Sequence, residues 1–150
     1  MADQLDPIQL MRKIAELEDK INAMRTIEIG GVWKDWTPTL TGWSAEPSGA
    51  LYRYCLVGKL CTLMIRQGTS GTSNATNAII TAPFASLAGG AYWLSVCQFR
   101  NNSATSATPG FAQIGNGSSN IIFYTTWVGG AWTASNEKAI LDCVLIYEIA

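Results

Sequence analysis

Histidine is absent from the 150-residue chain. That removes the commonest general base, and with it Ser-His and Cys-His nucleophile pairs. No phosphate-cradling G-x-x-x-x-G-K-[ST] or G-x-G-x-x-G run is present. A paired-carboxylate glycosidase would have to draw on Glu46, Glu137, Asp142 and Glu148. Asp142 and Glu148 stand at even spacing in the last apolar run and would share a strand face, but no second acid in a cleft-like context accompanies them. The chain reads as not an enzyme, with no catalytic residue and no cofactor. The four cysteines, Cys55, Cys61, Cys97 and Cys143, each lie inside an apolar strand-like run, and none forms a C-x-x-C pair. They read as small buried hydrophobes rather than a disulfide framework, and a zinc site lacks the histidine to complete it. Pairing is left to whichever strands face each other.

The chemistry these residues offer is recognition. Tyr124, Trp127, Trp132 and Asn136 cluster around the Gly129-Gly130 turn, Trp43 follows Gly42, and Tyr92-Trp93 follow Gly89-Gly90. Aromatic faces beside amide and hydroxyl groups suit a saccharide, whose C–H faces stack while its hydroxyls take directional hydrogen bonds. The candidate ligand-binding set is Trp127, Trp132, Tyr124, Asn136, Trp43 and Trp93, with Trp127 and Trp132, nearest the turn, leading it. Each tryptophan has a competing reading as core or hairpin packing, because Trp is highly buried on average. Exposure at a rim separates the two.

The elements that would carry these groups divide the chain at about residue 30. Asp6 is placed to cap a helix whose first position suits Pro7, and Gln9 stands where a capping box wants Glu or Gln. Leu10, Ile14, Leu17, Ile21 and Met24 follow at spacings of 4, 3, 4 and 3, an a/d heptad seam for association with copies of itself. Ile at a and Leu at d lean to two strands, whereas Met11 widens the apolar face toward three. The seam is only about two and a half heptads, marginal alone, so interfaces of the following domain are expected to supply most of the stability. Gly30-Gly31 is read as the helix stop and a hinge.

After residue 31 nothing looks helical. Short β-branched and aromatic runs alternate with Gly, Asn, Ser and Pro clusters. Strands are predicted near 36–43, 50–56, 59–67, 77–82, 92–99, 110–114, 120–127 and 139–149, with a hairpin turn at Val57-Gly58 and long loops at 68–76 and 101–108. Strands at this spacing predict an antiparallel β-sandwich, jelly-roll-like, or a barrel, over residues 31–150 behind a helical stem at 1–30. Only Arg53, Lys59, Arg66, Arg100, Lys138, Glu46, Glu137, Asp142 and Glu148 are charged after residue 36, and charged residues make up 14% of the chain against roughly 25% in an ordinary domain. That deficit predicts surface shared with other subunits; a monomer coated in Ser, Thr and Asn is the alternative. Net charge is −1 with no run of Lys or Arg, against a nucleic-acid partner. The longest apolar run, Ala139 to Tyr147, is too short for a bilayer. No signal peptide is read at the N-terminus.

A family pattern runs through residues 33–83. Trp36-Thr-Pro-Thr-Leu-Thr-Gly42, then Gly49-Ala-Leu-Tyr52-Arg-Tyr-Cys-Leu-Val57-Gly-Lys-Leu-Cys-Thr-Leu-Met-Ile65, a Ser/Thr/Gly loop and Ile79-Ile-Thr-Ala-Pro83 resemble bacteriophage tail-fibre, baseplate and head-fibre proteins. The closing Tyr147-Glu-Ile-Ala150 is similar to their last strand. Leu60 and Cys61 stand where that pattern usually has Val. The resemblance implies a homotrimer with a helical stem and a β-sandwich head, carried on a virion through the stem and binding host-surface carbohydrate. It implies no particular ligand-binding residue, since the family's motifs do not fix one. The alternative under the same resemblance is a structural or decoration fibre protein with no receptor.

Overall fold

The computed structural model describes residues 6–26, 31–89, 92–105, 109–134 and 136–150, with backbone alone over 21–26. It divides into two compact units, residues 1–32 and Trp33–Ala150. The first unit holds one helix, α1 (Pro7–Thr26). Its start follows local chemistry: Asp6 Oδ1 accepts the Ile8 N–H at 3.3 Å, the Asp6 carbonyl accepts the Leu10 N–H at 3.0 Å, and Pro7 takes the position that needs no donor. Leu10, Ile14 and Leu17 of the heptad seam are all about half exposed. The side chains of Ile21 and Met24 lie outside the described residues, as does Gly30. Among the described residues α1, 20 residues long, is the single helix; the coiled coil expected from its heptads is not shown by it.

The second unit is mainly β. Its strands are β1 (Lys34–Asp35), β2 (Leu40–Thr41), β3 (Trp43–Ala45), β4 (Leu51–Val57), β5 (Leu60–Arg66), β6 (Gly71–Ser73), β7 (Ile79–Thr81), β8 (Trp93–Asn101), β9 (Ala104–Thr105), β10 (Gly110–Ile114), β11 (Asn120–Tyr124) and β12 (Glu137–Glu148). All pair antiparallel in one 12-stranded sheet, with the main path β1-β4-β5-β12-β8-β10-β11-β7-β2. The two end strands, β1 and β2, belong to one segment. Trp36 N–H donates to Tyr52 O in β4, and Thr81 N–H in β7 donates to Thr39 O, both at 3.1 Å. The four residues between β1 and β2 reach at most about 14 Å, so the sheet must curl until β4 and β7 lie near each other. The side chains confirm the seam, since Trp36 Nε1 donates to Thr81 O at 3.0 Å.

Curling encloses one face. Cys61, Leu63 and Ile65 of β5, Ile121 and Phe123 of β11, and Cys143, Leu145 and Tyr147 of β12 turn inward and are nearly inaccessible. In β12 the inward set changes parity: Lys138 and Ile140 are buried before an irregularity between Ile140 and Asp142, Cys143 and Leu145 after it. A bulge inserts one residue and flips every side chain beyond it. The Ile140 N–H at that break is accepted by the buried side chain of Gln67 at 2.7 Å.

Most predicted strands are found within a few residues, and the Val57–Leu60 pairing closes the expected hairpin through Gly58-Lys59. The stretch 36–43 instead divides between β2 and β3, and strand 120–127 stops at Tyr124. Both long loops carry short strands, β6 and β9. Gly71 explains one of them: a Cβ there would stand 2.3 Å from Ala45 O and 2.7 Å from the Trp43 ring, so the glycine lets β6 lie tight on β3. One curled sheet replaces the two separate sheets of a sandwich. Among the described residues no helix is long and apolar enough to cross a membrane.

Candidate functional site

The six candidate ligand-binding residues do not form one cluster. Trp43 and Trp132 are buried, at 7% and 3% exposure. Trp43 Nε1 donates to Lys138 O at 3.1 Å, and Trp132 Nε1 donates to Phe123 O at 2.7 Å. Trp132 also sets its ring edge-on to Phe99 at 5.0 Å. Neither offers a face to a ligand, so the turn-proximity argument that led with Trp132 is corrected by burial. Trp93 is half-buried and packs against the same core. Asn136 is exposed and donates through Nδ2 to Asn102 Oδ1 at 2.6 Å.

Between Trp43 and Trp132 lies a group that the sequence reading passed over. Lys138 is fully buried. Its Nζ donates to the carbonyls of Gly42, Ala75 and Asn77 at 2.9, 3.0 and 2.7 Å, and it stands 5.1 and 5.5 Å from the centroids of the Trp43 and Trp132 rings. Burial pulls its pKa down to about 8, while three carbonyl dipoles and two indole faces hold the ammonium against that pull. All its protons are committed to main chain, which makes it a cross-brace between β12 and the loops at 42 and 75–77. In sequence it reads as an exposed strand charge beside Glu137; the bulge turns it inward.

Trp127 and Tyr124 are brought together, through a residue that was not anticipated. Phe111 of β10 pairs in register with Tyr124 of β11 and Val96 of β8, so all three project from the outer face of the sheet. The Phe111 ring stacks on Tyr124 at 4.7 Å and on Trp127 at 5.5 Å, with an interplanar angle of only 11° for the second pair. Phe111 is thereby covered, although it belongs to the outer face and not to the enclosed core. Trp127 remains 59% exposed.

The turn that presents Trp127 is laced to itself. Thr125 N–H donates to Gly130 O at 2.9 Å and Gly129 N–H to Thr126 O at 3.1 Å. Thr126 Oγ1 accepts the Gly130 N–H at 2.9 Å, and Thr125 Oγ1 donates to Ala131 O at 3.1 Å. Gly130 is required for this closure, since a Cβ would lie 2.6 and 2.7 Å from the two threonine hydroxyls. The result is a flat apolar plate with a held orientation.

The four cysteines are free and buried. Cys97 and Cys143 face each other in register. Burial pushes the Cys97 thiol up to about 12 and Cys143 higher still, so both are protonated at neutral pH and neither is a nucleophile. The platform itself carries no acid, base or nucleophile; what it can do is stack against an apolar or C–H-rich face.

Comparison with known proteins returns no matching family model, no matching curated protein and no matching solved structure. The likeness to phage fibre proteins therefore rests on the sequence motifs in residues 33–83 and the closing run Tyr147-Glu-Ile-Ala150.

Proposed function

We propose that this chain is a bacteriophage virion protein of the fibre or baseplate-tip type that recognises host cell-surface carbohydrate as a homo-oligomer. The observation that carries the ligand reading is the Trp127 plate, exposed and stacked flat on Phe111. A sugar ring docking on it meets an aromatic face that is already oriented, so little side-chain freedom is lost on binding. Tyr124 and the Thr125–Gly130 turn border the plate and supply polar groups. In this reading α1 is the stem, three parallel copies being favoured over two because Met11 widens the seam, and it joins the head to other virion proteins. The head, one curled antiparallel sheet, carries the binding surface. No nucleic acid, membrane insertion, metal or cofactor enters the reading.

The test is a glycan array together with binding to host cells, comparing wild type with Trp127→Ala. Trp127 makes only a surface stack, so the variant is expected to keep its fold and lose about tenfold or more in binding, the equivalent of about 1.4 kcal/mol. Wild type that binds no glycan and no host cell sinks the receptor reading. The second reading, a structural or decoration fibre protein, is favoured by Val128, which is 95% exposed at the tip of the same turn and suits contact with another protein as readily as with a sugar.

A further inference from the structure

The four cysteines are reduced and buried, but the sheet places them differently. Cys97 of β8 and Cys143 of β12 are direct cross-strand partners. Both side chains turn into the enclosed core, at 1% and 4% exposure. Directly opposed residues of antiparallel strands keep their Cα atoms about 4.5 or 5.5 Å apart, and a disulfide spans Cα separations of about 4.4–6.8 Å. Joining the pair asks only for a closer approach of the Cβ atoms, from about 5 Å to about 4 Å. The Cys143 thiol is raised first by burial and then by Cys97 itself, so the two sulfurs lie within each other's field. Register withholds this opportunity from the other two cysteines. Cys55 opposes Thr62 while Cys61 opposes Leu56 on the neighbouring rung, so their side chains leave opposite faces of the sheet. Cys61 shares the inner face with Cys143, yet Cys143 opposes Ile65, about 13 Å along β5 from Cys61.

We propose that Cys97 and Cys143 are an oxidation site, forming a cross-strand disulfide with a small-molecule disulfide as oxidant and clamping β8 to β12. One cysteine thiolate attacks the oxidant and displaces a small thiolate, leaving a mixed disulfide. The other cysteine thiolate attacks the protein sulfur of that bond and displaces the second small thiolate. The protein gives up two protons and two electrons, and the oxidant becomes two small thiols. The Cys97–Cys143 rung is the last between β8 and β12, just beyond the irregularity between Ile140 and Asp142. A covalent link there holds the strands where the bulge has already interrupted their ladder. Burial sets the pace. In the closed sheet the Cys97 thiol is pushed up to about 12, so almost no thiolate exists at neutral pH. The strands must part locally, or the bridge must form as the chain folds. The site is independent of carbohydrate recognition, since both sulfurs lie in the enclosed core and Trp127 stacks on the outer face.

The test is to refold the full chain in oxidised glutathione, and separately to incubate the folded reduced chain in it, then block free thiols and map the bonds. Trypsin cuts after Arg53, Lys59, Arg66, Arg100 and Lys138, which puts every cysteine on its own peptide. The expected product has peptide 67–100 joined to peptide 139–150, with Cys55 and Cys61 free. Oxidation of the folded chain is expected to run about tenfold or more slower than during refolding, because opening limits it. The bridged protein is expected to melt about 5 °C or more above the reduced one, with circular dichroism unchanged. Cys97→Ala and Cys143→Ala should each keep all remaining thiols free. Should they fail to fold, Cys55→Ala leaves the pair intact and is expected to form the same linked peptides. Four free thiols after refolding, a product that stops at the mixed disulfide, or a bond in any other combination, between chains included, overturns the proposal. A bridged protein that melts no higher than the reduced one overturns the clamp.

Discussion

Lys138 joins two loops to the longest strand by donating every proton of its ammonium to a main-chain carbonyl. Lys138→Met fills the same space with an apolar chain but removes three charge-assisted bonds. Gly42 keeps a second donor, Asn74 N–H; Ala75 shares the single Ser73 Oγ proton with the nearer Thr133 carbonyl, and the Asn77 carbonyl loses the donor that stands 2.7 Å away. The substitution is expected to cost about 3 kcal/mol, within the range for losing buried bonds to a charged group and stranding an acceptor. Chemical denaturation of the two proteins measures it, and a change below about 0.5 kcal/mol would show that the brace is dispensable. At the same scale Phe111 and Trp127 work in the opposite direction. They bring an aromatic pair to the surface, so removing Trp127 should disturb binding far more than folding.

At the scale of elements the bulge in β12 governs what the interior contains. It converts an inward even series ending at Ile140 into an inward odd series beginning at Cys143. The donor it frees is met by Gln67, whose side chain accepts from Ile140 N–H at 2.7 Å and donates to Tyr52 OH at 3.0 Å. Gln67→Leu preserves the volume and leaves the Ile140 N–H without that acceptor, at an expected cost of about 1–3 kcal/mol. Urea midpoints of the variant and wild type would check it. Hydrogen exchange should locate the effect, with the Ile140 amide losing protection ahead of the β5–β12 ladder. The helix obeys simpler rules. Asp6→Ala removes the acceptor for Ile8 N–H and is expected to lower α1 stability by about 1 kcal/mol, read as lost helical ellipticity.

For the whole molecule, buried titratable groups make stability depend on pH. The thiols of Cys61, Cys97 and Cys143 and the phenols of Tyr52 and Tyr147 are all raised by burial, Cys97 from 9.0 to about 12. The unfolded chain releases these protons from about pH 9 while the folded chain keeps them, so the stability they contribute is complete below pH 9 and is lost as pH climbs toward 12. Lys138 runs the other way. Its pKa falls from 10.5 to about 8 on folding, so between those values the unfolded chain binds more protons and this group alone makes stability rise with pH. Five groups oppose one, and the melting temperature is expected to change little from pH 7 to 9 and to drop steeply from 9 to 11. Thermal melts across that range measure it. Cys97→Ala with Cys143→Ala should flatten the drop.

Local chemistry by itself determined where α1 begins, because Asp6 and Pro7 act on neighbours within one turn. It also determined that Leu60–Arg66 form a strand, because apolar and β-branched residues run through that stretch between turn residues. Those features need only periodicity and short-range bonding. Tertiary structure alone decided that Trp43 and Trp132 enclose a lysine while Trp127 faces out, since all three occur in similar Gly-flanked, aromatic-rich stretches. Their fates depend on a strand path that closes between β4 and β7 and on one inserted residue in β12. A single extra residue reverses every side chain after it, and no spacing within the sequence marks where that residue is absorbed.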